Sequence, residues 1–137
     1  MKDFAPLGQK FFDETEGAFT AKFDAEIFAA TWARLIEGGW GFVLGAWIDG
    51  EPVGTIGATV APDPCNGELV AQEAFWYVDP SKRGVGVRLF HEFVKLADTF
   101  ASKITMGHLI ASMPEKLAKL YMREGFKAVE IHYVRER

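Results

Sequence analysis

The sequence predicts an α+β domain: a central, mostly antiparallel sheet of mixed type flanked by about four helices. Three observations carry that prediction. Apolar side chains recur at helical spacing in separate stretches near both ends of the chain and in its middle. Between residues 41 and 78 the pattern changes to apolar runs of strand length. Two of those runs are joined by Asp49-Gly50, a strong local hairpin signal because both residues of such a turn must tolerate positive φ.

In chain order, Phe4, Leu7 and Phe11 predict a short first helix, which the acidic Asp13, Glu14 and Glu16 end. Asp24 is placed to cap a second helix with Phe28, Trp32, Leu35 and Ile36 as its apolar stripe and Gly38-Gly39 as its stop. Phe42 to Ile48 and Val53 to Val60 are the two hairpin strands. Ala61 to Gly67 reads as a longer turn into a third strand, Leu69 to Val78, which closes at Asp79-Pro80. A Gly-rich loop then leads to a helix from Val87 to about Ala101, with Phe90, Phe93, Val94, Ala97 and Phe100 on one face. Ile104 to Ile110 reads as a strand. Ser112 and Glu115 have capping-box spacing, and they open a helix through Leu117, Leu120 and Tyr121 that stops at Gly125. Alternation of Val129, Ile131 and Tyr133 with Glu130 and His132 predicts a last strand.

The chain has 137 residues, which suits a single domain over 1–137. Hydrophobic residues make up 49% and charged residues 25%, a globular composition that excludes disordered, collagen-like and heptad-dominated chains. Aromatic residues reach 14%, with twelve Phe, so rings are available to line a pocket as well as to pack. The net charge of -4, with no long basic run, argues against a nucleic-acid partner, since neutralising phosphates needs clustered Lys and Arg. One cysteine, Cys65, allows no internal disulfide and fits a reducing, cytoplasmic setting. The longest apolar stretch, Trp40 to Ile48, falls far short of the roughly 20 residues needed to span a bilayer, so no membrane partner is expected. The N-terminal residues lack the charged start and apolar run of a secretory signal. Three scattered histidines, His91, His108 and His132, show no zinc-site spacing, so no metal is expected. Trp40, Trp47 and Tyr133 lie on segments that can reach an exposed edge, which leaves room for a homodimer.

The informative stretch is Val78-Asp79-Pro80-Ser81-Lys82-Arg83-Gly84-Val85-Gly86-Val87-Arg88-Leu89-Phe90. A strand enters a loop with two glycines and a helix leaves it, so backbone N–H groups lie unpaired at a helix N-terminus whose macrodipole favours an anion. Such a turn can cradle a phosphate or pyrophosphate. Gly84 and Gly86 let a ligand approach the main chain, and Lys82, Arg83 and Arg88 add positive charge. The same turn also serves as a plain connection. It is not a P-loop, which needs a terminal Gly-Lys-Ser/Thr, and it lacks the third glycine of a dinucleotide fingerprint.

Arg83-Gly84-Val85-Gly86-Val87-Arg88 resembles the Arg/Gln-x-x-Gly-x-Gly/Ala signature of the GNAT superfamily of acetyl-CoA-dependent N-acetyltransferases, and Val78-Asp79-Pro80 is similar to its usual lead-in. A second motif, Leu120-Tyr121-Met122-Arg123-Glu124-Gly125-Phe126, is similar to the family's Leu-Tyr-x-x-x-Gly-Phe. In element order the resemblance runs from the first helix to the C-terminus, and it extends to short GNAT proteins of bacteriophage and bacteria. Arg88 replaces the last small residue of the loop signature, and the Asn that often opens the fourth helix is absent, with Ser112 and Pro114 in its neighbourhood.

The resemblance implies a GNAT-like acyl-CoA N-acyltransferase fold and transfer of an acetyl group from acetyl-CoA to a primary amine by direct attack in a ternary complex. It implies that Arg83, Gly84, Val85, Gly86, Val87 and Arg88 hold the CoA pyrophosphate, and that Trp76, Tyr77 and Val78 pair their main chain with pantetheine. It implies further that the Val78 N–H polarises the thioester carbonyl and that Tyr121 protonates the leaving thiolate. A phenol pKa of about 10 suits donation better than proton abstraction. For the general base the residues leave three candidates: Glu73 in the third strand, Glu68 at its entrance, and His108 near the end of the next strand. The resemblance implies a small-molecule or peptide amine as acceptor. The resemblance implies that the region between the first two helices overhangs the acceptor side; there Asp13, Glu14, Glu16 and Asp24 either attract a cationic amine or form a solvated face, and Phe11, Phe12, Phe19 and Phe23 are available to line an aromatic acceptor pocket. Two other readings stand beside the enzyme: a non-catalytic GNAT-fold domain that binds acyl-CoA or a protein, and a small interaction domain with an aromatic dimer surface.

Overall fold

The computed structural model describes residues 1–14, 22–82, 84–109 and 114–135. A 3-10 turn at Lys2–Phe4 leads into helix α1, Ala5–Glu14, and helix α2 follows at Ala25–Glu37. Asp24 caps α2, its carboxylate accepting the N–H groups of Glu26 and Ile27 at 3.0 Å each. Strands β1, Gly41–Ile48, and β2, Glu51–Pro62, form the hairpin, with positive φ at Asp49 and Gly50 as the turn requires. Strand β3 spans Leu69–Val78, helix α3 Val85–Ala97, strand β4 Lys103–Thr105, and helix α4 Pro114–Arg123.

The four strands form one sheet in the order β1-β2-β3-β4, antiparallel except for β4, which runs parallel to β3. The α+β class and mixed sheet expected from the sequence are those of the molecule. On one face α3 packs through Leu89 and Phe93 against Ile56, Ala58 and Val78. Phe90 and α4, through Leu120 and Tyr121, complete that side over Trp76. The other face carries α1 and α2, where Phe4 and Leu7 meet Tyr77, and Trp32 and Phe28 meet Phe75.

Two details of β3 position everything that follows. Its pairing with β2 shifts between Phe75, opposite Gly57, and Glu73, opposite Ala58, leaving Ala74 as an unpaired bulge. Side chains alternate faces along a strand, so the extra residue turns Glu73 onto the α3 and α4 face, beside the line of Ala58 and Ile56; an unbulged strand would put it on the α1 and α2 face. The second detail is the brevity of the β3–β4 ladder, which pairs only Val70, Ala71 and Gln72 with Lys103, Ile104 and Thr105. From Glu73 onward that edge of β3 has no strand beside it among the described residues.

Three expectations are corrected. The strand over Ile104 to Ile110 is only Lys103–Thr105: two residues beyond, the Gly107 N–H turns to the Glu73 carboxylate at 3.2 Å, and the ladder ends. The helix runs Val85–Ala97, not from Val87 to Ala101, because the N–H groups of Thr99 and Phe100 reach back three residues to Leu96 and Ala97 and close the last turn. The last strand does not form. Val129, Ile131 and Tyr133 alternate as a strand should, yet they are exposed by 76–90%, because alternation supplies side chains but not the neighbouring backbone that a ladder needs. Ser112, the expected cap of α4, lies outside the described residues, as do Glu16 and Phe19.

Candidate active site

At the end of the β3–β4 ladder, Gly107 joins two side chains that lie far apart in the sequence. Its N–H donates to the Glu73 carboxylate at 3.2 Å, and its carbonyl accepts the Tyr121 hydroxyl at 2.8 Å. Burial pushes the Glu73 carboxyl up to about 7, against the opposing effect of the Gly107 N–H, so it changes charge near neutral pH. Burial, reinforced by the nearby Glu73 charge, pushes the Tyr121 phenol above its ordinary value, so it keeps its proton. The two groups are thereby separated into one that can accept a proton and one that can donate it.

The packing under this pair is aromatic. Trp76 stacks on Phe90 with centroids 5.4 Å apart and planes at 20°, and Tyr121 lies 5.8 Å from the Phe90 ring. Phe90 is fully buried, and its ring touches both Trp76 of β3 and Tyr121 of α4. Among the described residues, two polar atoms in this region, Trp76 Nε1 and Thr105 Oγ1, are buried without a hydrogen-bond partner. Such atoms are rare in a settled core and are commonly completed by water or a ligand.

Beyond Val78 the chain makes a 3-10 turn at Pro80–Lys82 and enters α3. The Asp79 carboxyl is held down to about 2 by hydrogen bonds from the Ser81 side chain and N–H and from Lys10. Those bonds tie this acid to its neighbours. Among the described residues no side chain caps α3 at Gly84, which leaves the first N–H groups of the helix without a side-chain acceptor. A Cβ built at Gly84 meets nothing within 4 Å, whereas one at Gly86 comes within 3.3 Å of Val78 Cγ2. Gly84 therefore opens the cradle and Gly86 brings α3 close to β3. Lys82 and Arg88 stand exposed beside it, Val85 is half-buried, and Val87 is exposed. Arg83 lies outside the described residues.

The other residues singled out in the sequence divide clearly. His108 is exposed, its ring stacked 6.4 Å from Tyr121. Glu68 sits at the far end of β3, roughly 17 Å along the strand from Glu73, where it bonds the Asn66 amide. Tyr77 turns to the opposite face and donates its hydroxyl to Glu14 at 2.8 Å. Of the four acids expected near an acceptor, Asp13 accepts the Gln9 amide, Glu14 the Tyr77 hydroxyl, and Asp24 the N-terminus of α2. Phe11, Phe12 and Phe23 line a cavity of about 450 Å³ between α1, α2 and β3. Sequence reasoning missed Gly107 and the Ala74 bulge. Neither carries a local signal, since each is defined by what lies opposite it in the sheet.

A family model described as Acetyltransferase (GNAT) family matches residues 5–127. No curated protein matches the chain in sequence. Among solved structures, a ribosomal-protein-alanine N-acetyltransferase from Brucella melitensis biovar Abortus 2308 is 25% identical, with a TM-score of 0.70 over 98% of this chain and 91% of that one. An aminoglycoside acetyltransferase from an uncultured soil metagenomic sample is 19% identical, with a TM-score of 0.69 over 98% and 86%. A transcriptional regulator from Bacillus halodurans C-125 is 16% identical, with a TM-score of 0.77 over 98% and 93%. The last two likenesses are of fold alone. No described helix is long and apolar enough to cross a membrane. The family match over most of the chain, on a fold shared with solved N-acetyltransferases, makes the conclusion direct: this chain belongs to the GNAT acetyltransferase family.

Proposed function

We propose that this protein transfers an acetyl group from acetyl-CoA to a primary amine, with Glu73 as base and Tyr121 as acid. The observation that carries the proposal is the meeting of the two side chains at Gly107, beside the β3 edge that β4 leaves open. Acetyl-CoA supplies the acyl group already activated as a thioester. The open N-terminus of α3, Gly84, Lys82, Arg83 and Arg88 suit its pyrophosphate, with Val85, Gly86 and Val87 forming the turn that presents them.

The main chain of β3 has a defined polarity at the cleft. Asp79 donates its N–H to Val53 on β2 at 2.8 Å, so alternation along the strand directs the N–H groups of Val78 and Trp76 to the opposite, open edge. Those two residues are suited to pair with pantetheine, and Val78 to polarise the thioester carbonyl; Tyr77, whose main chain faces β2, is not. In the transfer a C–N bond forms and the C–S bond breaks. The amine proton passes to Glu73, directly or through one water, and the Tyr121 proton goes to the departing sulfur. The free chain holds that proton on Gly107 O, so the hydroxyl must turn from the carbonyl to the thiolate.

Release of CoA from acetyl-CoA in the presence of an amine panel tests the reading. Acetyl-CoA binding with CoA release that depends on both Glu73 and Tyr121 supports it. Binding without release from any amine would favour the non-catalytic acyl-CoA-binding domain.

A further inference from the structure

We propose that β1 is an interface between two copies of this chain, which pair edge to edge in antiparallel orientation about Leu44 and join their sheets into one. Among the described residues β1 forms one edge of the sheet, with no strand beyond it. Long unpaired edges are ordinarily blunted by charge or proline, yet Gly41–Ile48 holds neither. Trp40 and Trp47 stand toward its two ends, 52% and 50% exposed.

The backbone restricts the register. Val60 donates its N–H to the Trp40 carbonyl at 2.9 Å, so alternation turns the polar groups of Phe42, Leu44 and Ala46 to β2 and directs those of Gly41, Val43, Gly45 and Trp47 outward. Side chains alternate as well: Phe42, Leu44 and Ala46 lie on the α3 face, and Val43 and Trp47 on the face of α1 and α2. In an antiparallel pair, opposed residues must share a face, and outward groups must meet outward groups. With Leu44 opposite its own copy both conditions hold: Gly41 opposes Trp47, Phe42 opposes Ala46, and Val43 opposes Gly45. Apart from Leu44 itself, each larger side chain then meets a small one, and no charges are opposed. Centring on Gly45 instead would set Val43 against Trp47 and Phe42 against Ile48, and would leave Gly41 facing the Asp49 turn. The register about Leu44 supplies about eight inter-chain backbone hydrogen bonds, near the roughly ten of a typical interface. Because β1 lies at the opposite edge of the sheet from β4, this interface is separate from Glu73 and Tyr121 and does not depend on acetyl transfer.

Sedimentation of the unaltered protein should show a dimer that dissociates in the micromolar range, and a monomer at every concentration up to about 200 µM overturns the proposal. Leu44→Cys, in a Cys65→Ser background that removes the exposed native thiol, should form a covalent dimer with oxidised glutathione as electron acceptor. A non-hydrogen-bonded antiparallel pair holds its Cα atoms about 4.5 Å apart, within disulfide reach. Val43→Cys in the same background should stay uncoupled, since the two copies of residue 43 lie roughly 9 Å apart in this register. Val43→Pro deletes an outward N–H, leaves the bonds to β2, and should weaken dimerisation at least about tenfold. In the unaltered dimer the amides of Val43, Gly45 and Trp47 should exchange at least about tenfold more slowly than in the monomer. A dimer that cross-links equally through Val43→Cys, fails to cross-link through Leu44→Cys, or is indifferent to Val43→Pro overturns the proposal and places the contact elsewhere, as at the exposed segment 129–134. Amide exchange in β1 that does not change with concentration overturns it as well.

Discussion

Glu73 and Tyr121 are held by opposite ends of one residue: Gly107 gives its N–H to the carboxylate and receives the phenol O–H on its carbonyl. The two side chains therefore share one reference point. Forty-eight positions separate them in sequence, and the bulge at Ala74 is what turns the carboxylate toward the helix that carries the tyrosine.

The first prediction concerns pH and turnover. With Glu73 ionising near 7 and Tyr121 raised above its ordinary value, the rate should rise with pH through about 7 and show no fall from the tyrosine below pH 9. Glu73→Gln should lower kcat by about 10²-fold or more and remove that rise, with acetyl-CoA affinity little changed. A kcat–pH profile of the two proteins checks it, and an unchanged profile in the variant would remove Glu73 as the base.

Stability should move the other way. An unfolded Glu73 ionises near 4.5, and the folded one near 7. Between those values the folded chain keeps a proton the unfolded chain has lost, so stability falls as pH rises through this window and stays at the lower level above it. Glu73→Gln keeps an acceptor for Gly107 without the charge. It should be more stable than the parent at pH 8 by on the order of 2–3 kcal/mol, with the gap closing toward pH 5. Urea unfolding at the two pH values measures this.

Tyr121→Phe separates the acid from the base. It deletes the bond to Gly107 O from a buried phenol, at a stability cost of about 1 kcal/mol, and should lower kcat by roughly 10²-fold while keeping the rise near pH 7. Loss of that rise in the Phe variant would show that the two groups are not acting independently.

Two loop glycines should respond differently to the same substitution. At Gly84 (φ -58) the space beyond the missing Cβ is empty, so Gly84→Val should leave the melting temperature nearly unchanged and weaken acetyl-CoA binding about tenfold or more by filling the cradle. At Gly86 a Cβ already lies 3.3 Å from Val78, so Gly86→Val should cost roughly 1–3 kcal/mol of stability by pushing α3 off β3. Calorimetric melting beside titration with acetyl-CoA distinguishes the two cases.

Asp24→Ala should lower stability by about 1 kcal/mol through loss of the two capping bonds at 3.0 Å. Thermal unfolding reads it, with Asp24→Asn as the variant expected to restore most of the loss.

Much of the fold is legible from local pattern. The β3 bounds, the Asp49-Gly50 turn and the Asp24 cap follow from alternation, turn chemistry and capping, all of which act within a few residues. The same local logic fails at residues 129–133, where the alternation is present but no strand stands opposite, and at residues 106–109, where a side chain takes the N–H that a ladder would have used. The Gly loop and Tyr121 were readable as motifs because each belongs to one continuous segment. Glu73 was one of three candidates for the base, and Glu68 and His108 could not be set apart from it by spacing.

By itself the sequence determined the type of most elements, the Asp24 cap, the aromatic excess and the Gly-rich turn, because backbone propensity and periodic burial are short-range properties. Only the tertiary structure decided which carboxylate shares Gly107 with Tyr121 and where the β3 edge lies open. A one-residue bulge reverses the face of every side chain on one side of it, and a buried charge acquires its pKa from neighbours that the chain brings in from dozens of positions away.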